Sequence, residues 1–170
     1  MNDYIKELSD AMWGLTVLHI SELQNKIDTA RSTGKTVFLA GNGGSFLIAQ
    51  HWALDLSKAA YVKTHMLGSN PGLLTAHAND NGYHQSLSLE LLSCAKPGDM
   101  LICLSCSGRS PNIISCLGVA SRLHLIPYLI AGRDCPVMSN VYDIRVPSSD
   151  YGIIEDTFSF LGHWLTRALK

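Results

Sequence analysis

The chain has 170 residues, 46% of them apolar and 16% charged, with a formal net charge of -1. This describes one folded domain of ordinary size that buries about two-thirds of its unfolded surface. The composition excludes a disordered or fibrous protein, and 13 basic against 14 acidic residues leave no basic stripe for a nucleic-acid backbone.

Ile5, Leu8, Met12, Leu15, Leu18, Leu23 and Ile27 recur at three- and four-residue steps, which predicts an amphipathic helix or a helical pair over 4–30 with Gly14 as the candidate break. Trp13, Val17 and Ile20 widen the apolar surface beyond one stripe, as expected where a second subunit supplies part of the covering. No basic segment followed by a long apolar run is visible, so neither a secretory nor a membrane-spanning segment is expected and the cytoplasm is the default location. Cys94, Cys103, Cys106, Cys116 and Cys135 are odd in number and form no pair of CxxC arms. They read as reduced, mostly buried thiols.

Thr36–Ala40 predicts a short buried strand running into Gly41-Asn42-Gly43-Gly44-Ser45, followed by a helix over Phe46–Ala60. A second short strand is expected around Met66-Leu67, then a turn at Ser69–Gly72, with Leu73–His77 leading into a further turn at Asn79–Gly82. Next come a helix over Gln85–Ser93 and the clearest buried strand, Met100–Ser105, which ends in the polar loop Cys106-Ser107-Gly108-Arg109-Ser110. Pro111 suits the first turn of a helix over Asn112–Leu123. Strands at Leu125–Ile130 and Val141–Val146 and a last helix over Ile154–Leu169 complete the pattern. Strands alternating with helices predict a doubly wound, mostly parallel α/β sandwich in a single domain, 1–170, with ligands beyond the C-terminal strand ends.

Gly41–Ser45 has neither the GxGxxG spacing of a dinucleotide fold nor the GxxxxGK[ST] of a P-loop, so no nucleotide cofactor is expected. A glycine loop before a helix either makes a tight turn or offers backbone N–H groups and the helix's positive end to an anion. The second loop, with Ser105, Ser107 and Ser110 before another helix, favours the anion. His51 and Asp55 stand four residues apart and leave one helix face, able to reach one metal or one substrate. Glu155 and His163 are eight apart, about 12 Å of helical rise, so meeting on one ion requires a long reach or an irregular helix start. Trp52 and Trp164 read as packing residues, and the remaining histidines, His19, His65, His77, His84 and His124, carry no assigned role.

Gly41–Ser45, Ser105–Asn112, Ile144–Ser148 and the final helix with Glu155 and His163 together resemble the sugar isomerase (SIS) domain family, and within it the phosphoheptose isomerases. The resemblance covers nearly the whole chain in order. It implies conversion of sedoheptulose 7-phosphate to D-glycero-D-manno-heptose 7-phosphate for a lipopolysaccharide or other glycan, by a homotetramer with shared active sites. It places the phosphate on Ser105, Ser107 and Ser110, with Cys106 where the family has threonine and Arg109 where it has asparagine. Asn42, Gly43, Gly44, Ser45 and Asp80 would line the sugar. The resemblance also implies zinc on His51, Asp55, Glu155 and His163, with Asp55 replacing the family's glutamate and Glu155 its glutamine. Two histidines and two carboxylates remain a sensible zinc set. His163 and Asp55 are the expected base and acid, with Glu155 as an alternative carboxylate. The rival functions are isomerisation of another sugar phosphate, or a non-catalytic role in sugar-phosphate sensing or replication-initiator binding. Neither nucleic acid nor membrane is expected as a partner.

Overall fold

The computed structural model describes residues 1–170. It begins with two helices, α1 (Asn2–Trp13) and α2 (Val17–Ser32), so the N-terminal periodic stretch is a helical pair. The break falls at Gly14, where an added Cβ would stand 2.7 Å from Pro147 Cγ. From there on, strand and helix alternate as β1 (Val37–Ala40), α3 (Gly43–Ala60), β2 (Thr64–Met66), α4 (Pro71–Asn81), α5 (Tyr83–Cys94), β3 (Met100–Ser105), α6 (Pro111–Arg122), β4 (Ile126–Gly132), β5 (Tyr142–Val146) and α7 (Tyr151–Ala168). The five strands pair in the order β2-β1-β3-β4-β5, every pair parallel. β1, β3 and most of β4 are buried on both faces, which explains their unbroken apolar runs.

Two cores flank the sheet. Leu23, Ile27, Trp52, Leu56, Phe158 and Leu165 from α2, α3 and α7 fill one face. Leu87, Leu91, Ile113, Leu117 and Leu129 fill the other. No helix is long and apolar enough to cross a membrane.

The segment expected as two turns around residues 69–82 is the helix α4. Asn70 is its N-cap, accepting from the Leu73 amide at 3.2 Å, and Pro71 occupies the first turn. The Asn-Pro pair therefore starts a helix here. No residue of α4 is buried, so it has no apolar stripe for periodicity to find. α3 starts earlier than expected, with Gly43, Gly44 and Ser45 forming its first turn.

All five cysteines are free and all but Cys94 are buried. Burial is the largest influence on the thiols of Cys103, Cys106 and Cys135 and on the Tyr128 phenol, and it pushes all four up. The folded protein thus holds these protons more tightly than the unfolded chain. Their contribution to stability is full below the ordinary thiol value and is lost as pH rises through the raised folded values. The melting temperature in reducing buffer is expected to be level between about pH 7 and 8 and to fall progressively above about pH 9. A melting temperature that rises across the alkaline range would contradict this account.

Candidate active site

The order of the sheet reverses between β1 and β3, so the loops that leave these neighbouring strands diverge and open a crevice. Both loops run into helix N-termini. Asn42 is the N-cap of α3 and Ser110 that of α6, yet neither side chain caps its helix. By contrast, α4 and α7 are capped by the carbonyl and carboxylate oxygens of Asn70 and Asp150. The first-turn amides at the crevice thus carry no side-chain cap, an arrangement that can attract an anion without surplus positive side chains.

Asn42 is used otherwise. Its side-chain amide donates to Asn112 Oδ1 at 2.9 Å and accepts from Asn112 Nδ2 at 2.8 Å, while Tyr83 Oη donates to Asn42 Oδ1 at 2.9 Å. This reciprocal amide pair ties the two loops together, and Asn112 is only 2% exposed. The sequence marked Asn42 as a sugar contact but assigned no role to Asn112 or Tyr83. Pairing across 70 residues leaves no local signal.

Between the loops lies a cavity of about 290 Å³, lined by Asn42–Ser45, Leu104–Ser107, Ser110, Tyr151 and Glu155. It gathers all the expected sugar- and phosphate-binding residues except Asp80. Ser105 and Ser107 accept from the amides of Gly108 and Arg109, each at 3.2 Å, so their hydroxyl protons stay available to an anion. Cys106 lies 3.7 Å from Ser45 Oγ, and burial keeps its thiol protonated at neutral pH. Arg109 turns away, donating to the Asp134 carbonyl at 3.0 Å. Asp80 is exposed near the end of α4 and does not line the cavity; its carboxylate accepts from Asn79. Tyr151, at the start of α7, borders this cavity and the neighbouring one, a position no motif foretold.

The second cluster is built on the α3–α7 contact. Gly162 lets the Trp52 indole lie directly on α7, since an added Cβ would meet Trp52 Nε1 at 2.2 Å. The indole N–H donates to the Phe158 carbonyl at 2.9 Å. His51 and His163, the neighbours of these residues in sequence, consequently face each other. Their Nε2 atoms are 3.2 Å apart and their rings meet edge to face. Asp55 Oδ2 stands 3.1 Å from His51 Nε2 and 3.8 Å from His163 Nε2.

Three lone-pair donors turned toward one another, all within 4.8 Å, suit a single divalent cation. The expected fourth ligand does not join them. Glu155 sits about 12 Å of helical rise from His163; its carboxylate rests against Gly44 and accepts from Ser45 Oγ at 3.0 Å.

Comparison with known proteins agrees with this fold. The SIS domain model matches residues 2–127. A phosphoheptose isomerase from Paramagnetospirillum magneticum is 34% identical over 150 residues, covering 84% of this chain and 78% of the relative. One from Aneurinibacillus thermoaerophilus is 31% identical over 179 residues, covering 96% and 90%. The solved phosphoheptose isomerase from Francisella tularensis superposes with a TM-score of 0.89 over 99% of this chain and 95% of its own, at 22% identity.

If the three-residue cluster is the metal centre, zinc added to metal-free protein binds tightly. His51→Ala and His163→Ala each then weaken that binding at least tenfold, by the loss of about 1.4 kcal/mol or more, while Glu155→Ala leaves it near the wild-type value. Calorimetric titration checks this, and a Glu155→Ala loss as large as that of the histidine variants would place the carboxylate back among the ligands.

Proposed function

The chain belongs to the SIS domain family, and from that premise and the layout of its cleft we infer an aldose-ketose isomerase that converts sedoheptulose 7-phosphate to D-glycero-D-manno-heptose 7-phosphate. The observation that carries this reading is the placement of two chemically different clusters along one helix pair. Ser45 and Glu155 mark the anion cradle, and His51 and His163 mark the reactive end. Six residues of α3 and eight of α7 separate the two ends, about 9 and 12 Å of rise. A seven-carbon chain has a contour of comparable length, with carbon–carbon bonds of about 1.5 Å each. With its phosphate on the uncapped helix ends, its C1–C2 end reaches the histidines.

The phosphate is held by the free first-turn amides of α3 and α6 and by the hydroxyls of Ser105, Ser107 and Ser110. At the other end, His163 acts as base and takes a proton from C1 of the ketose. The electron pair left behind forms the C1–C2 double bond of the enediol as O2 is protonated through Asp55. Removal of the O1 proton and return of a proton to C2 then yield the aldose. Asp55, in contact with His51, also orients the imidazoles for this exchange. The base role of His163 belongs to the metal-free cluster; zinc, if held by His51, Asp55 and His163, would occupy the same lone pair and would supply instead a Lewis acid for the carbonyl oxygen.

We also propose a homotetramer whose subunits complete one another's sites. Trp13, Val17 and Leu18 at the α1–α2 elbow are 87%, 75% and 74% exposed. A groove of about 360 Å³ between this elbow and α7 is lined almost wholly by apolar side chains, Trp164 among them. Leu47, Leu54 and Phe160 extend the apolar surface around the histidine cluster. Such a patch on a free monomer is a liability that self-association removes. Free buried thiols and a diffusible phosphorylated substrate agree with a cytoplasmic location.

Purified protein incubated with sedoheptulose 7-phosphate is expected to give the aldose heptose phosphate by NMR. His163→Ala lowers kcat/KM by about 10² to 10⁴-fold. Ser107→Ala costs about 1.5–3 kcal/mol of phosphate binding, read chiefly as a higher KM. An intact assembly that binds the sugar phosphate without interconverting it would overturn the isomerase reading, and a monomer by light scattering would overturn the assembly.

A further inference from the structure

Asn42 and Asn70 are asparagines in the same place, each the N-cap of its helix with an extended backbone. Asn70 does what an asparagine there is suited to do: its Oδ1 accepts from the Leu73 amide at 3.2 Å and closes the first turn of α4. Asn42 does not cap α3, and the amides of Gly43, Gly44 and Ser45 have no acceptor within the chain. The difference lies in what holds the side chain. Asn42 Oδ1 accepts from Asn112 Nδ2 at 2.8 Å and from Tyr83 Oη at 2.9 Å, so both lone pairs of the oxygen that would cap α3 are engaged elsewhere. Asn42 Nδ2, which cannot cap, donates to Asn112 Oδ1 at 2.9 Å. Asn112 is buried in the first turn of α6 and Tyr83 opens α5, so the restraint comes from two other helices.

We propose that Asn112 and Tyr83 are positioning residues that act through Asn42 to keep the N-terminus of α3 uncapped and its amides open to an oxygen of the ligand. Released from its two donors, Asn42 Oδ1 would turn back to the amide of Gly44 or Ser45 and compete with the ligand for it. A glycine in place of Asn42 would also leave these amides open, but it would carry no tie to the serine loop. The restrained asparagine does both: it joins the two loops at the wall of the cavity and leaves the donors beside it free. The proposal rests on the isomerase reading only for the identity of the ligand.

The test removes both donors, in Tyr83→Phe/Asn112→Leu and again in Tyr83→Phe/Asn112→Ser, with folding of each protein verified by circular dichroism and inorganic phosphate as the probe. In the ligand-free double variants, amide hydrogen exchange at Gly44 or Ser45 is expected to slow relative to wild type as Asn42 caps α3. Phosphate binding in calorimetric titrations weakens about fivefold, the equivalent of a side-chain cap of about 1 kcal/mol. Adding Asn42→Gly to the double variants removes the competing cap, so most of the lost phosphate binding returns and exchange at Gly44 and Ser45 quickens again. A loss that persists after Asn42→Gly is added would overturn the proposal by assigning the effect to loosened loops. Unaltered exchange or unaltered phosphate binding in the folded double variants would overturn it as well. Neither measurement involves turnover. A wild-type protein without isomerase activity whose variants still show this pattern sinks the isomerase reading alone, and an active isomerase without the pattern sinks this proposal alone.

Discussion

The seating of the Trp52 indole on Gly162, with its N–H bonded to the Phe158 carbonyl, is the contact on which the rest of the cleft depends. It seats the indole of α3 directly on the backbone of α7, at a point where α7 has no room for a side chain. Once their separation and rotation are set there, His51 and His163 meet on one side of the contact. Toward the N-termini, the same alignment brings Glu155 against Gly44 and Ser45. Two helices from opposite ends of the chain thus act as a rigid bar with different chemistry at each end. Core packing transmits such placement faithfully because interiors are close-packed and yield little.

At one end of that bar lie two helix N-termini without side-chain caps. Of the helices around the cleft, α7 carries a side-chain cap, whereas α3 and α6 do not. The Asn42–Asn112 pair carries the cost of keeping two open ends side by side, since two adjacent positive helix ends repel when no ligand separates them. With Glu155 in the same cavity, the electrostatic balance lies closer to neutral than the loops alone would make it. At the other end, the two imidazoles are more than half exposed and the carboxylate is partly buried.

Much of this was legible in the residues. The unbroken apolar runs of β1 and β3 declared strands buried on both faces, and Pro111 declared the start of α6. The i, i+4 spacing of His51 and Asp55 placed them on one helix face, and the family resemblance brought His163 to them. The helical rise between Glu155 and His163 demands a long reach for a shared ion, yet the resemblance puts both on zinc; in the structure Glu155 stands apart from the three-residue cluster and bonds to Ser45. α4 was hidden because it buries nothing and because an Asn-Pro pair has the same chemistry in a turn as in a helix cap. Tyr83, Asn112 and Tyr151 were hidden for a different reason: each acquires its role only when distant loops meet, and a tyrosine or asparagine in isolation looks like any other. The start of α3 was misplaced because two glycines weigh against helix, whereas here the missing side chains are what allow Glu155 to approach.

The bonds that assemble the cleft also have a temporal consequence. Asn42 and Asn112 are 70 residues apart, Ser45 and Glu155 are 110 apart, and His51 and His163 are 112 apart. During synthesis, α3 emerges long before α7 exists, so no partly made chain can present both ends of the cleft. Contacts of such long range form late, after the entropy of closing the intervening loops has been met. A ligand of this cleft therefore recognises only the finished chain and draws the folding equilibrium toward it by mass action.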